Sequence, residues 1–304
     1  MTADDMDTPN ILNIENAQQR VGLMPSLGGS LAYWDVLRNG QWQAIWRRYE
    51  PPVDWRRIIG NFALVPWSNR ITGGGITVDG AFYPMQPNRA DPYPIHGDGW
   101  MHEWQVKEHS DHVIELTVES RRHHGYPYEY TATQRYSVEG DDMVMRLEVT
   151  HLGDKPLPYG LAWHPFILRG DNPNGPRLQF KSDGYWKATS DSVPLDHSTQ
   201  LPEGWDFNQL RDLGHGKIDN NFSGWDGRMI MERDDIDLRI EWNTTEPAGL
   251  DLSILFRPEN SPFFCFEPIT HITDAFNRPG MPRLRMLNKG EGMALEVRQT
   301  LSHL

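Results

Sequence analysis

Short runs in which apolar and polar residues alternate recur along this chain, and a period of two belongs to strands with one buried face. Residues 113–118 read Val-Ile-Glu-Leu-Thr-Val, and residues 143–150 read Met-Val-Met-Arg-Leu-Glu-Val-Thr. The pattern returns at 236–242, 250–256 and 293–297. Turn signals separate the runs: Gly28-Gly29, Asn39-Gly40, Asp79-Gly80, Gly153-Asp154 and Gly290-Glu291-Gly292. Asn39-Gly40 and Asp79-Gly80 suit tight hairpins, because glycine accepts positive φ. With 23 prolines and 27 glycines spread over 304 residues, long helices have little room. One short helix is expected over 203–213. No repeat or linker divides the chain, and 170–176 reads as a loop. The expected fold is all-β, a single large antiparallel β-sandwich over 1–304, with 1–18 a loosely ordered N-terminal segment.

Charge and cysteine usage narrow the function. The net charge of −13 disfavours nucleic acid and anionic membranes as partners. No apolar run approaches the roughly 20 residues of a membrane-spanning helix. The acidic, polar N-terminus lacks the basic and apolar regions of a secretory leader. A lone cysteine, Cys265, excludes an internal disulfide and a multi-cysteine metal site, and suits a reducing cytoplasm. It reads as a space filler. A monomer and a homodimer are both compatible with the sequence.

Chemically competent residues stand out in four segments. In 61–70, Asn69-Arg70 ends an apolar run, where a guanidinium fork can grip vicinal hydroxyls, although a surface ion pair is the commoner use. In 94–100, His96 is followed by Gly97, which permits close backbone approach. In 159–167, His164 sits among apolar residues and precedes a proline, which favours extended backbone. Imidazole exchanges a proton near neutral pH, though a buried histidine more often just completes a core hydrogen bond. In 263–277, Glu267 is a carboxylate after four apolar or thiol residues. Burying it unpaired is costly, so it has a partner or a role that tolerates a raised pKa. Asp219 alone is an ordinary turn former. His102 and His123-His124 read as solvated surface residues. Trp67, Trp100 and Phe276 are candidates for a sugar-stacking platform, each at least as readily core.

Together these segments resemble the aldose 1-epimerase (galactose mutarotase) family, in the same chain order. Pro66 to Ile71 is similar to its NRI motif, His96-Gly97 to its first histidine motif, and Trp163-His164-Pro165-Phe166 to its second. Asp219-Asn220-Asn221-Phe222 resembles its aspartate motif, and Glu267-Pro268 with Asp274-Ala275-Phe276-Asn277 its glutamate segment. The likeness runs from Gly28 to Leu301. It implies a β supersandwich, Glu267 as catalytic base and His164 as catalytic acid. It further implies sugar binding by Arg70, His96 and Asp219 beside Asn69, with no cofactor and no metal. Two departures bear on which sugar is bound: Ala-Leu-Val-Pro-Trp-Ser precedes the NRI-like motif, and Asp98 follows His96-Gly97.

The reaction implied is interconversion of α and β hemiacetals of a free aldose, by ring opening and reclosure. Two alternatives stand beside it: a hexose-6-phosphate mutarotase, whose rim cations would be Arg56-Arg57 or Arg121-Arg122, and a sugar-binding protein without catalysis. A glycosidase would need paired carboxylates, Glu267 with Asp219, and leaves the histidines unexplained.

Overall fold

The strand Glu129–Glu139 carries the logic of the whole fold. It buries every second residue, Tyr130, Ala132, Gln134, Tyr136 and Val138. On its two edges it pairs antiparallel with Val113–Arg121 and Asp142–His151. Continuing outward through Gly292–Ser302, Leu238–Glu246, Arg228–Arg233 and Arg177–Phe180 on one side and Gln105–His109 on the other, these strands make a nine-stranded sheet, closed by the short strand Arg211–Asp212. Its outward face carries a ladder of charge pairs: Arg135 to Glu108 and Glu115, and Arg146 to Glu148, Glu246 and Glu296. The computed structural model describes residues 9–50 and 59–304.

A second, six-stranded sheet runs in the order Ile167–Leu168, Phe263–Pro268, Leu252–Arg257, Ile218–Ser223, Gly184–Ala188 and Pro194–Ser198. It packs face to face on the first through aromatic rings: Phe266 lies 5.0 Å from Phe180 and 6.0 Å from Trp242, and Phe222 lies 5.5 Å from Phe180. A four-stranded sheet, Leu12–Glu15, Gln19–Met24, Ser30–Arg38 and Gln41–Ala44, adds Trp34 and, just beyond it, Trp46 to the same core. Every strand pair is antiparallel among the described residues. The architecture is the expected all-β antiparallel sandwich.

Both predicted hairpins form. Asn39-Gly40 joins Ser30–Arg38 to Gln41–Ala44, and Asp79-Gly80 joins Gly75–Val78 to Ala81–Pro84, with positive φ at all four residues. Two expectations fail. Residues 203–213 are loop ending in a short strand, not helix. Phe207 is drawn onto Phe180 at 5.2 Å, and the Asn208 side-chain amide accepts from the Ser182 N–H and donates to the Ser182 carbonyl, so side-chain anchoring fixes an extended path. The segment 9–18 is not loose, because Leu12–Glu15 pairs with Gln19–Met24; residues 1–8 lie outside the described residues. Among the described residues the helical elements are three-residue 3-10 turns, and no helix is long and apolar enough to cross a membrane.

Candidate active site

The outer face of the six-stranded sheet carries the chemistry. Register places Glu267 opposite Ile254, and Ile254 opposite Asn221 on the next strand, so the three form one row. Cys265 and Asp219 lie two residues earlier on their own strands, and period two keeps them on that face. Glu267 is 3% exposed. The chain returns over this face along 62–70, 94–100 and 162–166. Ala162–Trp163 pairs with Ala63–Leu64, and the His164 N–H donates to the Phe62 carbonyl at 3.1 Å. That short pairing carries His164 to Glu267, with Nε2 3.6 Å from Oε1. Phe62 and Phe166 stack on the imidazole at 5.0 and 4.7 Å and shut out water.

His96 is fixed by a reciprocal backbone clasp. Asn69 and His96 both adopt left-handed φ, 57° and 63°. The His96 N–H donates to the Asn69 carbonyl, and the Asn69 N–H donates to His96 Nδ1, each at 3.0 Å. Since Nδ1 accepts, the neutral ring carries its proton on Nε2. The ring stands edge-on to His164 at 5.3 Å. Gly97 makes this turn possible. At φ +67° a Cβ there would meet the Val65 carbonyl oxygen at 1.9 Å, where Gly99 N–H already donates.

The departure at Asp98 serves packing. Its carboxylate accepts from Tyr130 Oη at 2.8 Å and Ser120 Oγ at 2.6 Å, and pairs with His102 Nε2 at 3.0 Å. His102 is thus a partner of a buried carboxylate, not the solvated residue expected.

Arg70 is partly committed. Nη1 donates to Asn69 Oδ1 at 3.2 Å and Nη2 to Asp91 at 3.1 Å, so Asn69 holds both Arg70 and His96. Asp219 accepts from Ser192 Oγ. Asp274 binds Thr72 through its N–H and its hydroxyl, at 2.8 and 2.7 Å, tying the 267–277 segment to the NRI-like motif.

Electrostatics set the proton inventory. Burial raises the Glu267 carboxyl well above its ordinary range, neighbouring Asp219 adds to this, and Arg70 opposes it. Burial lowers His164 to about 3, with Arg89 adding to the effect. His96 is likewise held well down by burial, then by His164 and the arginines. Burial thus works against the charged form of both groups.

Sequence reasoning brought Glu267, His164, His96, Asn69, Arg70 and Asp219 forward, and the fold gathers all six around one face. It missed several neighbours. Asn221 is buried, and its amide bonds the Thr273 N–H at 3.0 Å and Thr273 Oγ1 at 3.1 Å, pinning the loop after Glu267. Its position, two residues after Asp219, was the available signal. Phe62 left no signal beyond apolarity, and Phe166 appeared only as the last residue of the second histidine motif. Trp67, Trp100 and Phe276 are buried, and Trp67 packs on Tyr126 and Tyr128. The partly exposed ring near the site is Trp186, with the Arg278 guanidinium 5.0 Å from its centroid. Of the rim cations considered, Arg121 and Arg122 face Glu119 and Glu129 instead, and Arg56-Arg57 lie outside the described residues. Cys265 is more than filler by position: its sulfur, a His164 nitrogen and a Glu267 oxygen all lie within 4.8 Å of one another.

A family model for aldose 1-epimerase matches residues 11–300, and the chain belongs to the aldose 1-epimerase family. It is 34% identical over 244 residues to the uncharacterized protein YphB of Escherichia coli (strain K12), covering 78% of this chain and 81% of that one. Among solved structures it is similar to a protein of Escherichia coli K12 provisionally named an aldose 1-epimerase. There the TM-score is 0.88 at 28% identity, over 98% of this chain and 100% of that one. The fold also matches a galactose 1-epimerase from Lactobacillus acidophilus NCFM, with TM-score 0.78 and 16% identity over 99% and 97% of the two chains.

Proposed function

We propose that this protein interconverts the anomers of a free aldose, with Glu267 and His164 exchanging protons with O1 and the ring oxygen. One observation carries the reading. A carboxyl and an imidazole stand 3.6 Å apart, both nearly stripped of water, on a face also lined by His96, Arg70 and Asp219.

Opening a pyranose takes a proton from the anomeric hydroxyl and gives one to the ring oxygen, and the C1–O5 bond breaks. The C1 carbonyl turns about C1–C2, and reclosure on its other face reverses both transfers. The Glu267–His164 pair needs one proton in total. With that proton on His164, Glu267 takes the O1 proton and His164 donates to O5. The pair is then left as protonated Glu267 and neutral His164, the arrangement that burial favours. The site is thus pre-set for the open-chain aldehyde, the species nearest the transition states. A positioned acid or base contributes typically ~10²–10⁴-fold. His96 Nε2–H, Asp219 and the unengaged edge of Arg70 supply hydroxyl contacts that fix the ring. A cytoplasmic setting suits the single free thiol.

The test is anomer exchange by NMR on galactose, glucose and a small aldose panel, for the wild type, Glu267→Gln and a buffer blank. Exchange above the blank that is lost in Glu267→Gln is expected. Near-wild-type exchange in the variant overturns the role of Glu267. Saturable sugar binding without exchange in the wild type means a binding protein.

An anionic sugar is the second reading, and Arg47 favours it. Its guanidinium lies 4.0 Å over Phe166, itself stacked on His164, and its Nη2 is buried without a hydrogen-bond partner among the described residues. Competition between a hexose and its 6-phosphate decides between them.

A further inference from the structure

Cys265 sits two residues before Glu267, on the face that carries the site, and its thiol is free and fully buried. A tetrahedral ion with bonds of ~2.0–2.1 Å to nitrogen and oxygen and ~2.3 Å to sulfur has ligand-to-ligand edges of roughly 3.3–3.6 Å. The His164–Glu267 edge is already 3.6 Å, and the three donor atoms all fall within 4.8 Å. Movements of about 1 Å or less per side chain close the remainder, on the same bond lengths. A separate sign points to a missing ligand. Glu267 Oε2, on the same carboxyl that faces His164 Nε2, is buried without a hydrogen-bond partner among the described residues, a costly state for a polar atom.

We infer that His164, Cys265 and Glu267 form a chelate for one borderline-soft divalent cation of the Zn²⁺ type, which blocks the acid–base pair while bound. The donor chemistry selects the ion. One thiolate, one imidazole and one carboxylate match zinc, whereas magnesium and calcium require oxygen ligands. The charges also match: thiolate plus carboxylate cancel a dication, leaving a neutral assembly in a buried place. Binding displaces the thiol proton and that of the carboxyl, so M²⁺ enters and up to two protons leave, and affinity rises with pH. Three protein ligands leave the fourth position open. The ion consumes the lone pairs that Glu267 and His164 need for proton transfer, so occupation and turnover exclude one another. Only the inhibition rests on the mutarotase reading; the binding does not.

Co²⁺ is the probe, titrated into the full-length protein and followed by near-ultraviolet thiolate-to-cobalt absorption, with Zn²⁺ as competitor. One equivalent with a thiolate band is expected in the wild type. The band should be absent in both C265S and C265A, with affinity at least ~100-fold weaker, as even outer-sphere changes commonly cost 10–100-fold. Thermal unfolding checks that the variants fold, and His164→Asn, which keeps the thiol, should weaken binding comparably. Zn²⁺ should stop anomer exchange in the wild type at the concentration that displaces Co²⁺. No thiolate band, or unchanged affinity without Cys265, overturns the site. Binding with no exchange on any sugar leaves the chelate standing and removes the reaction instead.

Discussion

Replacing Gly97 by alanine is expected to cost about a hundredfold in turnover and about 6 °C in Tm. The magnitude follows from two separate insults. Left-handed backbone carries a penalty of roughly 1–2 kcal/mol for a residue with a Cβ. The new Cβ would also stand 1.9 Å from the Val65 carbonyl oxygen, a backbone atom that cannot rotate away. The two strands of the turn must part by about 1 Å, loosening the Gly99 N–H bond to Val65 and the Asn88 amide bond to the Gly97 carbonyl, at about 1 kcal/mol for the pair. The sum is about 3 kcal/mol, and a chain of this size loses about 2 °C per kcal/mol. His96 is the residue just before it, and a misplacement of about 1 Å near the chemistry can cost 10²-fold. Gly40→Ala is the control. It has the same sign of φ, +74°, but nothing lies within 4 Å of its Cβ, so it should lose about 1–2 kcal/mol and no activity. Differential scanning fluorimetry and NMR anomer exchange read both variants. If Gly97→Ala matches Gly40→Ala in both assays, close approach to Val65 does not hold His96, and the argument fails.

Three further outcomes follow from the buried pair and its supports. Glu267→Gln should be more stable than the parent at pH 8 and nearly equal at pH 4. A carboxyl whose folded pKa is raised loses relative stability as pH climbs from its unfolded value near ~4.3 toward the folded one, and the amide does not. Thermal melts across pH read this directly. The alkaline limb of kcat/KM should report loss of the proton on Glu267, and Asp219→Asn should move that limb to lower pH by removing a neighbour that raises it; an unmoved limb separates the two residues. Asn221→Ala should lower kcat by tenfold or more with a small loss of stability, because it frees the loop beyond Glu267 rather than any sugar contact; a change confined to KM refutes this.

The strands and the principal site residues were legible because their signals are local. Alternation over 113–118 and 143–150 announces its own pleat, and Asn39-Gly40 announces its own turn. Glu267 and His164 were legible because a carboxylate or imidazole inside apolar sequence is anomalous by itself. What stayed hidden depends on cross-strand alignment. Nothing local says that Ile254 stands between Glu267 and Asn221, or that Phe62 and Phe166 flank the imidazole. The helix expected at 203–213 fails for the same reason, since Phe180, which holds Phe207 in place, lies on a distant strand.

The ties that close the site join the two ends of the chain. Thr72 meets Asp274 across 202 residues, and Ser68 N–H donates to His271 across 203. Such contacts carry the largest loop-closure entropy, and chains dominated by them fold slowly. Sheet content can therefore return on refolding before the site exists. The ability to turn over a sugar marks the arrival of the last contacts, and a chain released from synthesis acquires it only after its C-terminal quarter has come home.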